Sequence, residues 1–223
     1  MELVEYADRE MLAMGLADTL ATSLRQCLLV HDHASFCVPG GSTPGETFST
    51  LSDAGLDWVR VHVFLGDERW VPVDHERSNT RLLRETLLTG RASKAVVVPM
   101  VTDAQTPEEG IDALMPGFEG ELPISLLLLG MGDDMHTASL LPDDPELASK
   151  LASDAPLLMP VRAPSQPEAR VTLTASALRG AVETHVIIQG DAKRDALMRA
   201  RKLKPQEAPI AAFLGDATVH WAP

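Results

Sequence analysis

Residues 124–136 read ISLLLLGMGDDMH, and no other stretch limits the fold of this chain so strongly. Ile124 to Leu129 is a nearly continuous apolar run that stops at Gly130. A short apolar run without polar alternation predicts a strand buried on both faces. Such strands belong to parallel sheets covered by helices. Two glycines, two aspartates and a histidine follow at once, in the place where an α/β sheet presents its loops to a ligand.

The rest of the chain alternates between helical and strand signals. Glu10 to Leu29 predicts an amphipathic helix with Leu12, Leu16, Leu20 and Leu24 on one stripe. Ser35–Val38, Val59–Leu65, Ala95–Pro99, Leu157–Val161, Arg170–Thr174 and His185–Gln189 read as strands. Glu46–Leu51 and Ala192–Arg201 read as helices, and residues 103–123 hold a short one. Ser78-Asn79 has the chemistry of a helix N-cap before TRLLRETLL. Alternation of this kind predicts an α/β fold with a mainly parallel, doubly wound sheet flanked by helices. Residues 1–223 are expected to form one such domain, with room for a small additional α/β part. No internal repeat or low-complexity tract interrupts it.

Charge narrows the partners. The net charge of −13 argues against nucleic acid, which is bound through basic surface. A small anion is still admissible, because local cations and backbone N–H groups can hold a phosphate against the global field. The opening residues MELVEYADREM lack the apolar centre of a signal peptide, and no run has the ~18 apolar residues of a membrane span. Cys27 and Cys37 lack CxxC spacing and read as reduced thiols, so a cytoplasmic location is expected.

Four polar clusters follow strand-like runs: GGSTP, GDER, GMGDDMH and GDAK. Their recurrence at strand ends predicts one composite site. In Gly40-Gly41-Ser42-Thr43-Pro44 the glycines let backbone N–H groups approach an anion, the hydroxyls add donors, and a helix follows. The same residues also suit an ordinary capped turn, and the missing GK[ST] excludes a Walker loop. Asp67-Glu68-Arg69 can bind polyol hydroxyls, orient a catalytic group or pair with phosphate, or form a solvated loop ion pair. His136 carries the most chemistry, since a neutral imidazole takes a proton near neutral pH. Asp134 could orient it, and Gly130 and Gly132 could bring N–H groups to a reacting oxygen. No histidine lies at helical spacing from His136, so no metal is expected there. The other six histidines read as structural or exposed. Arg170 and Lys193 are further basic residues at strand ends, each readable as a plain surface cation.

Taken in order and spacing, PGGSTP, FLGDERWVPVDHERSN, LLLLGMGDDMHTASLLP, RVTLT, GDAK and APIAAFLGDATVHWAP resemble the 6-phosphogluconolactonases. The resemblance runs from about Ser35 to Trp221. It implies hydrolysis of 6-phospho-D-glucono-1,5-lactone with His136 as base, oriented by Asp134 or Asp67. It also implies phosphate recognition by Gly40, Gly41, Ser42, Thr43, Arg69, Arg170 and Lys193, with Arg69 able to face the carbonyl instead. No metal or organic cofactor is implied, because a lactone is already an activated ester. Two other readings stay open: a sugar-phosphate deaminase or isomerase, disfavoured by TASLLP where the related deaminases carry Phe-Asn-Glu-Pro, and a non-catalytic sugar-phosphate sensor. Met135 departs from the family, which commonly has glycine before the histidine. Either the loop differs locally or the position needs no positive φ.

Overall fold

A computed structural model describes residues 1–223. In chain order the elements are β1 (Glu2–Glu5), α1 (Arg9–Val30), β2 (Ala34–Val38), α2 (Gly45–Ser52), β3 (Val61–Leu65), β4 (Asp67–Arg69), α3 (Asn79–Thr86), β5 (Val96–Val97), α4 (Pro107–Leu114), β6 (Leu126–Gly130), α5 (Leu147–Leu151), β7 (Leu158–Val161), β8 (Arg170–Leu173), α6 (Ala175–Arg179), β9 (Glu183–Gln189), α7 (Asp191–Ala200) and β10 (Thr218–Ala222). Seven strands form one sheet in the order β1-β10-β9-β6-β2-β3-β5, with every neighbouring pair parallel. After the edge strand β1 the chain crosses to the centre of the sheet at β2, winds outward through β3 and β5, then returns to β6 and winds the other way. The sheet is therefore doubly wound, and its switch point lies between β2 and β6. The loops leaving those two strands are PGGSTP and GMGDDMH.

The core follows the apolar pattern closely. All five residues of β2 and Leu126 to Leu129 of β6 are buried. Leu12, Leu16, Leu20 and Leu24 of α1 are wholly inaccessible to solvent. Burying one leucine contributes roughly 1.5–3 kcal/mol, so this stripe is enough to hold α1 on the core. The helix starts where Asp8 accepts a hydrogen bond from Met11 N (2.8 Å). Ser78 caps α3 as its sequence suggests, accepting from Arg81 N (3.2 Å).

Several elements differ from the sequence reading. Residues 58–60 form a 3₁₀ turn ahead of β3, because Val59 faces solvent and Arg60 folds back onto the end of α1. Arg60 donates there to the carbonyls of Leu28 (3.1 Å) and Asp32 (2.7 Å). β1 and β10 complete one wing of the sheet, although neither carries a marked strand pattern. Asp67-Glu68-Arg69, expected as a strand-end loop, is itself a strand. It belongs to a second, antiparallel sheet of order β4-β8-β7. Arg170 is the first residue of its strand, as the sequence reading has it, and faces Arg69 across the small sheet. The small additional part is thus all antiparallel, and β4 joins it to the main sheet through Gly66 alone.

Candidate active site

An open cleft of about 630 Å³ lies at the C-terminal ends of β2 and β6. Pro39 to Gly41 and Thr43 line one side, Gly130 to Gly132 and His136 to Ala138 the other, and Asp67, Arg69, Asn79 and Arg170 close it from the small sheet. The predicted composite site therefore forms at the switch point. Asp134, Ser42 and Lys193 stand outside the cleft lining. Asp134 supports His136 from behind, Ser42 is exposed on the loop, and Lys193 grips the opposite loop.

The loop after β6 is wound tightly around His136. Gly132 N donates to the His136 carbonyl (2.9 Å), and Met135 N donates to the Gly132 carbonyl (3.1 Å). This uses the Gly132 N–H, so it is not free for a reacting oxygen as the sequence suggested. Gly132 has another purpose. A Cβ at this residue would stand 2.1 Å from His136 Nδ1, so the imidazole can occupy its place only over a glycine. Met135 has φ +66, so the position does require the left-handed region and a methionine adopts it. Such a backbone costs on the order of 1–3 kcal/mol, and its persistence beside the histidine marks the loop as held by its surroundings. Ile210 N contributes by donating to the Met135 carbonyl (3.1 Å).

His136 Nδ1 lies 2.5 Å from Asp134 Oδ1. That hydrogen bond holds the Asp134 carboxyl below the usual carboxylate range despite partial burial. An ionised carboxylate only accepts, which places the proton on Nδ1 and leaves Nε2 with its lone pair. Between the two aspartates considered as orienters, Asp134 makes this contact. Asp67 is engaged elsewhere: its Oδ2 accepts from Ser139 Oγ (2.5 Å) and lies 3.5 Å from the Arg170 guanidinium.

Arg69 and Arg170 occupy directly opposed positions on β4 and β8. Like charges across such a pair repel, so an anion between them relieves the repulsion. Each guanidinium keeps a buried Nε without a hydrogen-bond partner. Burial lowers the pKa of Arg170, while Asp67 acts in the opposite sense. The two arginines are thus left under-satisfied at the cleft wall.

Glu68 organises this wall, and the sequence reading passed over it as a separate residue. It is fully buried, and its carboxylate accepts from the backbone N–H groups of Arg69 (2.7 Å), Asn79 (2.8 Å) and Thr80 (2.6 Å) and from Ser78 Oγ (3.1 Å). The anion sits at the N-terminus of α3, where the helix dipole favours it. Asn79 also donates through Nδ2 to the Asp67 carbonyl (3.1 Å). Its amide group packs against Gly40, where a Cβ would come within 2.2 Å. The acid in DER and the SN ten residues later are the sequence signal of this clamp.

Lys193, in the first turn of α7, donates to the Met131 carbonyl (2.7 Å) and pairs with Asp133 (3.0 Å). It tethers the GMGDD loop at the edge of the site.

The comparisons agree with this geometry. The family described as glucosamine-6-phosphate isomerases/6-phosphogluconolactonase matches residues 7–221. A 6-phosphogluconolactonase of Pseudomonas putida is 38% identical over 222 residues, covering 98% of this chain and 92% of that protein. One from Pseudomonas aeruginosa is 40% identical over 217 residues, covering 95% and 90%. The crystal structure of a 6-phosphogluconolactonase from Shewanella baltica superposes with a TM-score of 0.96 at 31% identity, covering 100% of this chain and 98% of that one. The chain belongs to the glucosamine-6-phosphate isomerase/6-phosphogluconolactonase family, on the side of its 6-phosphogluconolactonases.

Proposed function

We propose that this chain hydrolyses 6-phospho-D-glucono-1,5-lactone to 6-phospho-D-gluconate, the second step of the oxidative pentose phosphate pathway, in the cytoplasm. One observation carries the reading. His136 lines the cleft with Nδ1 bound to Asp134 and Nε2 left to act as a base, opposite two arginines that each keep a buried Nε without a hydrogen-bond partner.

The reaction follows from these positions. Nε2 of His136 takes a proton from water as the water oxygen bonds to C1 of the lactone. The carbonyl electron pair moves onto oxygen, giving a tetrahedral oxyanion. The bond from C1 to the ring oxygen then breaks, and His136 returns its proton to that oxygen. Asp134 stabilises the imidazolium that exists between the two transfers. With the Gly132 N–H occupied, Arg69 is the donor best suited to the oxyanion. One such donor is worth roughly 3 kcal/mol. Arg170, Lys193 and the Gly40–Thr43 loop hold the 6-phosphate, with Asp67 keeping Arg170 in place. The residues themselves complete the chemistry of an activated ester.

The test is His136→Ala. General-base catalysis contributes about 10²- to 10⁴-fold, so kcat should fall by that factor with KM little changed. A coupled assay must outpace spontaneous lactone hydrolysis. Near-normal kcat after background subtraction would remove His136 from the role.

A further inference from the structure

We propose that His33, His62 and Glu121 form a binding site for one divalent transition-metal ion of the zinc class, at the end of the sheet opposite the catalytic cleft. His33 immediately precedes β2, and His62 is the second residue of β3, paired in register with Ser35. Glu121 lies in the segment leading into β6, the neighbour of β2 on its other side. The parallel order β3-β2-β6 thus brings three separate segments together at the N-terminal ends of adjacent strands. The cleft lies at their C-terminal ends.

The geometry suits a metal. Glu121 Oε1 is 2.6 Å from His62 Nδ1, and Oε2 is 3.5 Å from His33 Nε2. The three donor atoms all lie within 4.8 Å of one another. The Glu121 side chain is only 5% exposed, and its Oε2 is a buried oxygen without a hydrogen-bond partner. A buried carboxylate oxygen left in that state is costly, and a cation would satisfy it. The two imidazoles are 33% and 25% exposed, which gives an ion a path from solvent and leaves room for a water ligand.

The donor set selects the class of ion. Two imidazole nitrogens and one carboxylate oxygen, with an open fourth position, suit Zn²⁺ and its transition-metal neighbours. Mg²⁺ and Ca²⁺ prefer oxygen throughout. Bonds of about 2.0–2.1 Å in a tetrahedron set the ligand atoms roughly 3.4 Å apart. The separations here bracket that value, so closure on an ion needs shifts on the order of 1 Å. The His33 and His62 rings stack with centroids 4.3 Å apart and planes at 19°. Ligation therefore turns the more exposed His33 ring out of the stack so that its lone pair meets that of His62. The chain's net charge of −13 favours an incoming cation.

Isothermal titration of the EDTA-treated, dialysed full chain with ZnCl₂ tests the site. One site is expected, with affinity reduced at least about 10-fold in His62→Ala and in Glu121→Gln. The same site should persist in His136→Ala, which removes the other histidine–carboxylate pair. Circular dichroism checks the fold of each variant, and His33→Ala, at a half-buried residue, replaces Glu121→Gln if that variant misfolds. Co²⁺ should give the visible absorption of a four-coordinate ion in the wild type and lose it in the ligand variants. Absence of Zn²⁺ binding, binding indifferent to His33, His62 and Glu121, or binding lost in His136→Ala would each overturn the proposal and leave a plain histidine–glutamate cluster.

Discussion

Gly132→Ala perturbs the proposed base without altering any functional group. The added methyl carbon would stand 2.1 Å from His136 Nδ1, 2.3 Å from Cε1 and 2.6 Å from Asp134 Oδ1. Ordinary carbon contacts begin above 3 Å, so the imidazole must retreat by about 1 Å and its bond to Asp134 must stretch or break. Gly132 is not in the left-handed region, so alanine adds no backbone strain and the effect falls on the ring. A misplacement of that size costs roughly 10²-fold in rate. Losing a charge-assisted hydrogen bond, worth roughly 1.5–3 kcal/mol, leads independently to about 10- to 150-fold. The expectation is a kcat lowered by about 10²-fold, KM within a few-fold of wild type, and a similar unfolding midpoint. A coupled 6-phosphogluconate dehydrogenase assay with the spontaneous rate subtracted measures the first two, and a thermal melt the third. Wild-type kcat in a folded Gly132→Ala protein would refute the claim that catalysis depends on where this ring stands.

Lys193→Ala should raise KM by about 10- to 150-fold if its ammonium pairs with the substrate phosphate, and should matter little for unphosphorylated gluconolactone. A loss of kcat on both lactones would instead assign Lys193 to holding the Met131–Asp133 loop. Arg170→Met should lower stability by about 3–5 kcal/mol in urea melts, because it leaves the buried Asp67 carboxylate without its cation; a midpoint unchanged from wild type would contradict this. His220 is buried between Tyr6 Oη (2.9 Å) and His185 (2.9 Å), and burial, reinforced by His185, pushes its pKa from 6.5 down to about 4. Below pH 6.5 the unfolded chain takes up a proton that the folded chain refuses. Stability is therefore full above that pH and falls towards pH 4, by up to about 3 kcal/mol. Urea melts at pH 7, 6 and 5 should show a steeper decline for wild type than for His220→Gln, and equal slopes would exclude the effect.

Local periodicity made much of the frame legible. The α1 stripe and the run into Gly130 announce themselves because their burial partners impose a period of 3.6 or a continuous apolar face. The small sheet stayed hidden for the opposite reason. Arg69 meets Arg170 across about a hundred residues of chain, and three-residue β4 is too short for any pattern to show. The site was legible as types of residue more than as contacts. GMGDDMH marked His136, and the acid two residues before it meets its Nδ1 within one tight turn. Glu68 was invisible as a clamp because its partners are backbone N–H groups, which carry no residue identity. His33, His62 and Glu121 share no spacing, and only the strand order joins them.

The placement of β10 bears on how the chain can fold during synthesis. β1 pairs only with β10, and β10 lies between β1 and β9. β1 therefore has no neighbour until residues 218–222 emerge, and α1 must wait beside an unfinished wing. β2, β3 and β6, which carry the loops of the cleft, can pair well before then. An early stop codon removing β10 would strip two strands at once, orphan Glu2–Glu5 and expose the edge of β9 as a surface for aggregation.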